Sequence, residues 1–146
     1  MQEGDASASL GETNAATGTG SAPVRLTIAH AWIAARRARD RAFQVSGVFA
    51  DPAWDILLDL FVSHVRGKHS TVGDVCLASS VSASTVLRWI LVLEREGIVA
   101  RRHDSHDKRR ILVSLSATGL TKMEQALDAS AESDAKLGLG RLRLIK

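Results

Sequence analysis

The chain has 146 residues, of which 45% are hydrophobic and 24% are charged, and its net charge is +3. This length fits one domain with a single core. No run of about eighteen apolar residues is present, so no membrane-spanning helix is expected. The N-terminus lacks the basic start and apolar core of a secretory signal. The single cysteine, Cys76, cannot form an internal disulfide, which is typical of a cytoplasmic protein.

The two ends of the chain differ in composition from its middle. Residues 1–22 are rich in small residues and poor in large apolar ones, so we expect a disordered N-terminal tail. The charged residues of this tail are all acidic, and without them the rest of the chain has a net charge of +6. A basic domain of this size favours polyanions. Residues 23–135 are predicted to form the folded domain, and residues 136–146 a basic, apolar tail whose two glycines argue against a stable helix.

The segment from Pro23 to about Val45 predicts a first helix, which Ser46-Gly47 would end. Its apolar stripe is broken and consists of Ile28, Trp32, Ala35, Ala42 and Phe43. A row of arginines crowds its middle, namely Arg36, Arg37, Arg39 and Arg41, with Asp40 between them. The row could lie along DNA backbone or on an acidic partner. We favour a solvated face, with the stripe packed in a dimer.

A second helix is predicted from Pro52 to Val65, with Asp51 as its N-cap and proline at its first position. It is apolar almost all round, which indicates a central core helix buried on several sides. Trp54 and Phe61 are interpreted as core residues rather than as the lining of a ligand pocket.

A short strand is predicted between Lys68 and Thr71, followed by a small helix that ends near Ser79. Val75, Leu77 and Ala78 are expected to point mostly inward. Cys76 is interpreted as a small buried residue rather than as a redox-sensing thiol, because no basic neighbour or second cysteine accompanies it. With the turn at Ser80-Val81, this segment forms the first half of a helix-turn-helix.

The next helix begins near Ser82 or Ser84, either of which could be its N-cap, and ends at Gly97. Its inner stripe is formed by Val86, Trp89, Ile90 and Leu93. Hydroxyl groups and arginines occupy the opposite side, namely Ser84, Arg88 and Arg95 with Thr85 at the flank. A helix that enters the major groove of DNA presents such groups, its N-terminal residues first. An ordinary solvated helix face is the alternative.

Two β-prone runs follow, residues 98–102 and 110–115, separated by a basic loop. Residues 101–110 contain five Lys or Arg and two Asp. An arginine at the tip of such a hairpin can enter a minor groove, where the potential is most negative. Asp107 could brace Arg109 or Arg110 by a charge-assisted hydrogen bond. Otherwise the loop is a solvated turn with a surface ion pair. A last helix is predicted from about Ala117 to Ser133, capped by Ser116 or Thr118.

From about Asp51 to Leu120 the chain resembles the MarR family of bacterial winged-helix regulators. The resemblance is carried by Ser84-Thr85-Val86, by Leu93-Glu94-Arg95-Glu96-Gly97-Ile98-Val99, by Arg101-Arg102, Asp104 and Asp107-Lys108-Arg109-Arg110, and by Leu112-Val113-Ser114-Leu115-Ser116 with Gly119. It implies a mainly α fold with a small β-wing (α+β), a winged helix-turn-helix of order α-α-β-α-α-β-β-α. It also implies a cytoplasmic, nucleoid-associated homodimer that binds double-stranded DNA and responds to a small-molecule effector of unknown identity.

The resemblance also implies site residues. The major groove would be met by Ser82, Ser84, Thr85 and Arg88, and the minor groove by Arg109, braced by Asp107. Phosphate contacts, or support of the hairpin, would come from Arg101, Arg102, Lys108 and Arg110. The chain departs from the family in its short, glycine-interrupted C-terminal part and in Leu87 and Leu91, where many members carry polar groups.

Leu87 and Leu91 keep a second function open. They form an apolar strip at i, i+4, which we expect to pack on a neighbouring helix or on a partner protein. A winged-helix interaction module without specific DNA binding is therefore the alternative function. We find no pattern of an enzyme and no cofactor motif. His103 and His106, with Asp104 and Asp107 nearby, lie on one solvated hairpin without a thiolate and do not predict a metal site.

Overall fold

The structure is a computed structural model that describes residues 21–44 and 48–136. Its elements are α1 (Ala22–Phe43), α2 (Pro52–Val65), β1 (Ser70–Thr71), α3 (Val72–Ala78), α4 (Ala83–Arg95), β2 (Val99–His103), β3 (Ile111–Leu115) and α5 (Ala117–Lys136). This order confirms the predicted winged helix-turn-helix, mainly helical with one small sheet. Among the described residues, no helix is both long and apolar enough to cross a membrane. The predicted break at Ser46-Gly47 and most of both predicted tails lie outside the described residues.

Helix α2 is the centre of the fold, as its sequence predicted. Ile56 and Leu60 lie in one core with side chains from α3, α4 and the sheet. Leu58, Phe61 and Val62 lie in a second core with side chains from α1 and α5. At about 100° per residue these two sets occupy opposite faces of the helix. One helix therefore joins the lobe of the winged helix to the layer formed by α1 and α5.

Helices α2 and α4 both end in a left-handed glycine. Gly67 has φ +67° and Gly97 has φ +74°. After α4, the Ile98 N–H donates to the Leu93 carbonyl at 2.9 Å and the Gly97 N–H to the Glu94 carbonyl at 3.0 Å. This pattern is a Schellman motif, which satisfies the last carbonyls of the helix. Because Ile98 belongs to the motif, the first wing strand begins at Val99, one residue later than predicted.

Helix α3 begins with a capping box. Thr71 Oγ1 accepts from the Asp74 N–H, and the Asp74 carboxylate accepts from the Thr71 N–H, both at 3.0 Å. Val75 points into the core as predicted, but Leu77 is 87% exposed and Ala78 is also exposed, so that expectation was wrong. A helix this short buries one face, and Leu77 lies about 200° round from Val75. Cys76 is half-buried against the core around α4.

The sheet is antiparallel with strand order β1-β3-β2. Strand β1 pairs with β3 through Ser70 and Val113, which confirms the predicted short strand beside the wing. Strands β2 and β3 pair from Val99 opposite Leu115 to His103 opposite Ile111. The hairpin therefore projects from a three-stranded base.

The start of α5 is docked on the backbone of Ile98. The Ser116 N–H donates to the Ile98 carbonyl at 2.9 Å, and its hydroxyl donates to the Gly97 carbonyl at 2.6 Å. Ser116 Oγ accepts from the Gly119 N–H at 2.9 Å. Ser116 is thus the N-cap, as predicted. Gly119 is buried against the same carbonyl.

Helix α1 packs on α2 and α5 through Ile28 and Ala29. Arg25 donates to both Asp128 oxygens at 2.9 Å and to Glu124 at 2.6 Å, which fastens α1 to α5. The expected solvated arginine face was wrong for two of its members. Arg36 donates to Asp55 of α2 at 2.6 Å, and Arg39 donates to the Phe49 carbonyl at 2.9 Å and lies over its ring. A guanidinium at the edge of an interface stays there because a carboxylate or carbonyl accepts its hydrogen bonds.

The Gly119→Ala substitution is expected to lower the free energy of unfolding by about 3 kcal/mol, because the added Cβ would collide with the carbonyl oxygen of Ile98, and backbone cannot move aside easily. The matched control is Gly73→Ala in α3, where the nearest atom to an added Cβ is Thr71 Oγ1 at 3.6 Å. That change should be neutral or stabilise by up to about 1 kcal/mol. Urea denaturation of both variants gives the comparison; equal effects would contradict it.

The contribution of Asp128 to the free energy of unfolding should decrease in acid. The hydrogen bond from Arg25 lowers the pKa of the Asp128 carboxyl, against the opposing effect of its partial burial. An acid whose pKa is lowered by folding adds stability above its ordinary pKa of about 3.9, and this stability is lost as the pH falls through the folded pKa. Asp128→Asn should therefore lower the free energy of unfolding by about 1 kcal/mol at pH 7, and this cost should shrink as the pH falls below the ordinary pKa of the carboxyl. Urea denaturation across this range measures the difference; a constant offset at all pH values would contradict the role of the charge.

Candidate nucleic-acid interface

The first turn of α4 presents a cluster of hydroxyl groups. Ser82 is the N-cap, and its Oγ accepts from the Thr85 N–H at 3.3 Å. The same oxygen lies 2.8 Å from Thr85 Oγ1 and 3.2 Å from Ser84 Oγ. Ser82 and Ser84 are exposed and Thr85 is half-buried. The cluster can donate to or accept from a polar surface placed against the start of the helix.

Arg88 lies one turn further along the same outer side of α4 and is exposed. Its guanidinium carbon is 6.0 Å from the centroid of the Trp89 ring, at the outer limit of a cation–π contact. Within the part of the chain that the structure describes, no carboxylate forms an ion pair with it. The charge of Arg88 is therefore available to an external anion.

A bidentate ion pair joins α4 to the wing. Arg101 Nε donates to Glu94 Oε2 at 2.9 Å, and Arg101 Nη2 donates to Glu94 Oε1 at 3.0 Å. These hydrogen bonds hold the pKa of the Glu94 carboxyl below its usual value. Arg101 was predicted either to contact phosphate or to support the hairpin, and its pairing with Glu94 fits the second role. Helix and wing are thereby fixed relative to each other.

The wing tip is folded by two aspartates. The Asp104 carboxylate accepts from the His106 N–H at 2.9 Å, and the Asp107 carboxylate accepts from the Arg109 N–H at 3.0 Å. Asp104 also lies 3.5 Å from Arg110 Nη1, and the His106 hydrogen bond, aided by nearby basic groups, lowers the pKa of the Asp104 carboxyl. Asp107 thus contacts Arg109 through its backbone N–H, and Arg110 pairs with Asp104.

Three further basic residues of the hairpin point to solvent. Arg102, Lys108 and Arg109 are exposed, and no carboxylate pairs with any of them among residues 21–44 and 48–136. Arg109 stands at the tip of the hairpin, in the turn that is stabilised by the hydrogen bond from its own N–H to Asp107. A loop stiffened in this way presents its cations at a low cost in conformational entropy.

A cavity of about 110 Å³ lies between α1, α2 and the turn that follows α3. Arg36, Asp59 and Ser79 are among its lining residues. Burial raises the pKa of the Asp59 carboxyl. Arg36 Nη2 is buried and, among the described residues, has no hydrogen-bond partner. The cavity is therefore polar on part of its wall.

The described residues include no group of three or more His, Cys, Asp and Glu side chains that could hold a metal ion. On the wing, His103 Nδ1 lies 3.0 Å from the Lys108 carbonyl instead.

Two residues that hold this surface together, Glu94 and Asp104, were not predicted from the sequence to do so. Glu94 belongs to the residues that carry the family resemblance, but its ion pair with Arg101 was not predicted because it joins the end of α4 to strand β2. No role was predicted for Asp104. The side chains of Asp and Asn commonly accept a hydrogen bond from the backbone N–H of the second residue after them, as Asp104 does from His106. That preference is the signal which could have identified it.

No known protein family profile matches the chain. A stretch of 49 residues is 39% identical to the HTH-type transcriptional repressor YetL of Bacillus subtilis (strain 168), and this stretch is 34% of the chain and 29% of that repressor. The chain thus matches less than a third of the length of this curated relative.

Two solved structures, both of point mutants of MepR from S. aureus, resemble the whole fold. One mutant superposes with a TM-score of 0.53 at 18% identity, and the match covers 84% of each chain. Another mutant, bound to an oligodeoxyribonucleotide, gives a TM-score of 0.53 at 19% identity and 78% coverage of each chain. At such identities the likeness concerns the fold. The chain therefore has the winged helix-turn-helix fold of the MarR-family regulators such as MepR.

Proposed function

We propose that this protein is a DNA-binding transcriptional regulator of the MarR type. In this proposal, the start of α4 enters the major groove and the wing enters the minor groove. The observation that carries it is the bidentate Arg101–Glu94 pair, which joins the α4 that carries the hydroxyl cluster and Arg88 to a wing whose Arg102, Lys108 and Arg109 pair with no carboxylate among the described residues. MepR, which shares the fold, has been solved with an oligodeoxyribonucleotide.

The ion pairs distinguish basic residues that hold the fold together from those that are available to contact DNA. Arg25, Arg36 and Arg101 are each committed to a carboxylate of another element. Arg88, Arg102, Lys108 and Arg109 lie on α4 and the wing without such a partner in the described part of the chain. Cations without intramolecular partners release counterions when they meet phosphates, and this is the main source of affinity for DNA.

Within the interface we assign different tasks to the candidates. Ser84, Thr85 and Arg88 would meet base edges or phosphates in the major groove, and Ser82 would hold the start of the helix. Arg109 would enter the minor groove from the turn that Asp107 braces. Arg102 and Lys108 would contact phosphates, whereas Arg101 and Arg110 would keep the hairpin in place.

Fluorescence anisotropy on a labelled duplex across a salt series tests the proposal. Arg88→Ala and Arg109→Ala should each reduce the slope of log affinity against log salt by about one if that residue contacts a phosphate. The matched control is Arg41→Ala, which removes the same charge from an exposed position on α1. Circular dichroism would verify that all variants are folded.

The same experiment separates DNA binding from the interaction-module alternative. Binding to phosphates weakens steeply with salt, whereas an apolar protein contact does not. If the wild type shows no salt-dependent binding even at low salt, the regulator proposal is wrong. If Arg41→Ala changes the slope as much as Arg109→Ala, the interface has been placed on the wrong surface.

We extend the proposal to a homodimer, which the family resemblance implies and which would bind a near-palindromic site with half-sites about one helical turn apart. Support comes from α1, where Val24 is 44% exposed and Trp32 is 40% exposed. The cavity between α1, α2 and the turn after α3 is the volume that a small-molecule effector would fill.

Val24→Asp should weaken the dimer by at least about tenfold, because an unpaired charge would be buried in the interface. An aspartate in the first turn of a helix is favourable in itself, so α1 should keep its structure. Sedimentation equilibrium measures the association, and Leu77→Asp places the same charge on an exposed apolar residue of α3 as the control. A wild type that sediments as a monomer, or equal effects of the two variants, would contradict a dimer through α1.

A further inference from the structure

Helix α4 carries two exposed leucines on its outer face. Leu87 is 40% exposed and Leu91 is 42% exposed. At about 100° per residue, Leu87 lies roughly 60° from Ser84 around the helix axis. Leu87 also lies about 60° from Ile90, so its side chain stands at the border between the buried stripe and the surface that carries Ser84, with Arg88 about 100° away.

The charges around Leu87 suit a polyanion better than an apolar protein surface. Arg88 and Arg95 lie on the same side of α4 and are exposed. The carboxylate of Glu94, which would oppose them, is committed to Arg101. An apolar side chain with basic neighbours can be buried against DNA if the groove presents an apolar group that it can contact.

The major groove offers one such group, the 5-methyl of thymine. We propose that Leu87 contacts a thymine methyl and so sets a preference for thymine at one position of each half-site. This inference rests on the proposed function and deepens it, because it names a base that the helix reads. The hydroxyls and Arg88 position the helix, and Leu87 adds discrimination that neither phosphate contacts nor charge can supply.

Leu91 is the natural control. It has the same side chain and almost the same exposure, but it lies four residues further from the start of α4, about 6 Å along the axis. The N-terminal residues of a recognition helix contact the bases. If the start of α4 enters the groove, Leu87 would therefore lie deeper in it than Leu91.

The test has two steps. Wild type, Leu87→Ala and Leu91→Ala are first used to select duplexes from a library with a randomised central region. Wild type and Leu91→Ala should select the same sequence, and Leu87→Ala should lose the preference for thymine at one position per half-site. Each thymine of the selected duplex is then replaced in turn by deoxyuridine, which lacks only the methyl group and keeps the base pair.

Replacing the contacted thymine should weaken wild-type binding by about fourfold per half-site, the effect of one buried methyl group. Leu91→Ala should show the same loss, and Leu87→Ala should bind the two duplexes equally. If wild type does not distinguish thymine from deoxyuridine at any position, or if Leu87→Ala still does, the assignment of Leu87 is wrong while DNA binding stands. If wild type enriches no duplex and binds none at low salt, the proposed function is wrong and the assignment falls with it.

Discussion

The whole fold depends on one helix that has to be buried on two opposite sides. Ile56 and Leu60 of α2 belong to the core of the winged helix, while Leu58, Phe61 and Val62 belong to the core formed with α1 and α5. Neither lobe has a complete core without α2. A small displacement of this helix must therefore be felt in both lobes, since close-packed side chains transmit strain rather than absorb it. The cavity lies beside the same helix, between α1, α2 and the turn after α3.

A second constraint concerns how the arginines are used. Those that join elements are paired: Arg25 holds α5 to α1, Arg36 holds α2 to α1, and Arg101 holds the wing to α4. The pairs of Arg25 with Asp128 and of Arg101 with Glu94 are bidentate, which fixes their geometry as well as strengthening them. Arg88, Arg102, Lys108 and Arg109 are left to solvent. The basic residues are therefore divided between those that join elements of the fold and those that remain available to an external partner. The amino-acid composition does not distinguish the paired from the unpaired basic residues, whereas the contacts in the structure do.

Much of this architecture was predictable, because its signals are local. The glycine at position 97, the serine at 82 and the proline at 52 each mark a helix end by the conformation that the backbone adopts there. The two buried faces of α2 were visible in the sequence as a helix that is apolar almost all round. The predictions that were wrong concern Leu77, Ala78, Arg36 and Arg39, where periodicity describes a helix but not the neighbours around it. A periodic pattern shows which residues share a face and leaves open what covers that face.

The amino-acid sequence by itself determined the order of the elements, their ends and the position of the basic loop, because these follow from propensity, capping and spacing along the chain. The tertiary structure alone decided which charges are free. Glu94 meets Arg101 across a helix end, Arg25 reaches Asp128 at the far end of the chain, and Gly119 has to be glycine because the Ile98 carbonyl lies against it. Arg25 and Asp128, and likewise Ile98 and Gly119, are distant in sequence, and Glu94 and Arg101 lie on different elements. Their partners are set by packing in three dimensions, for which a linear pattern has no signal.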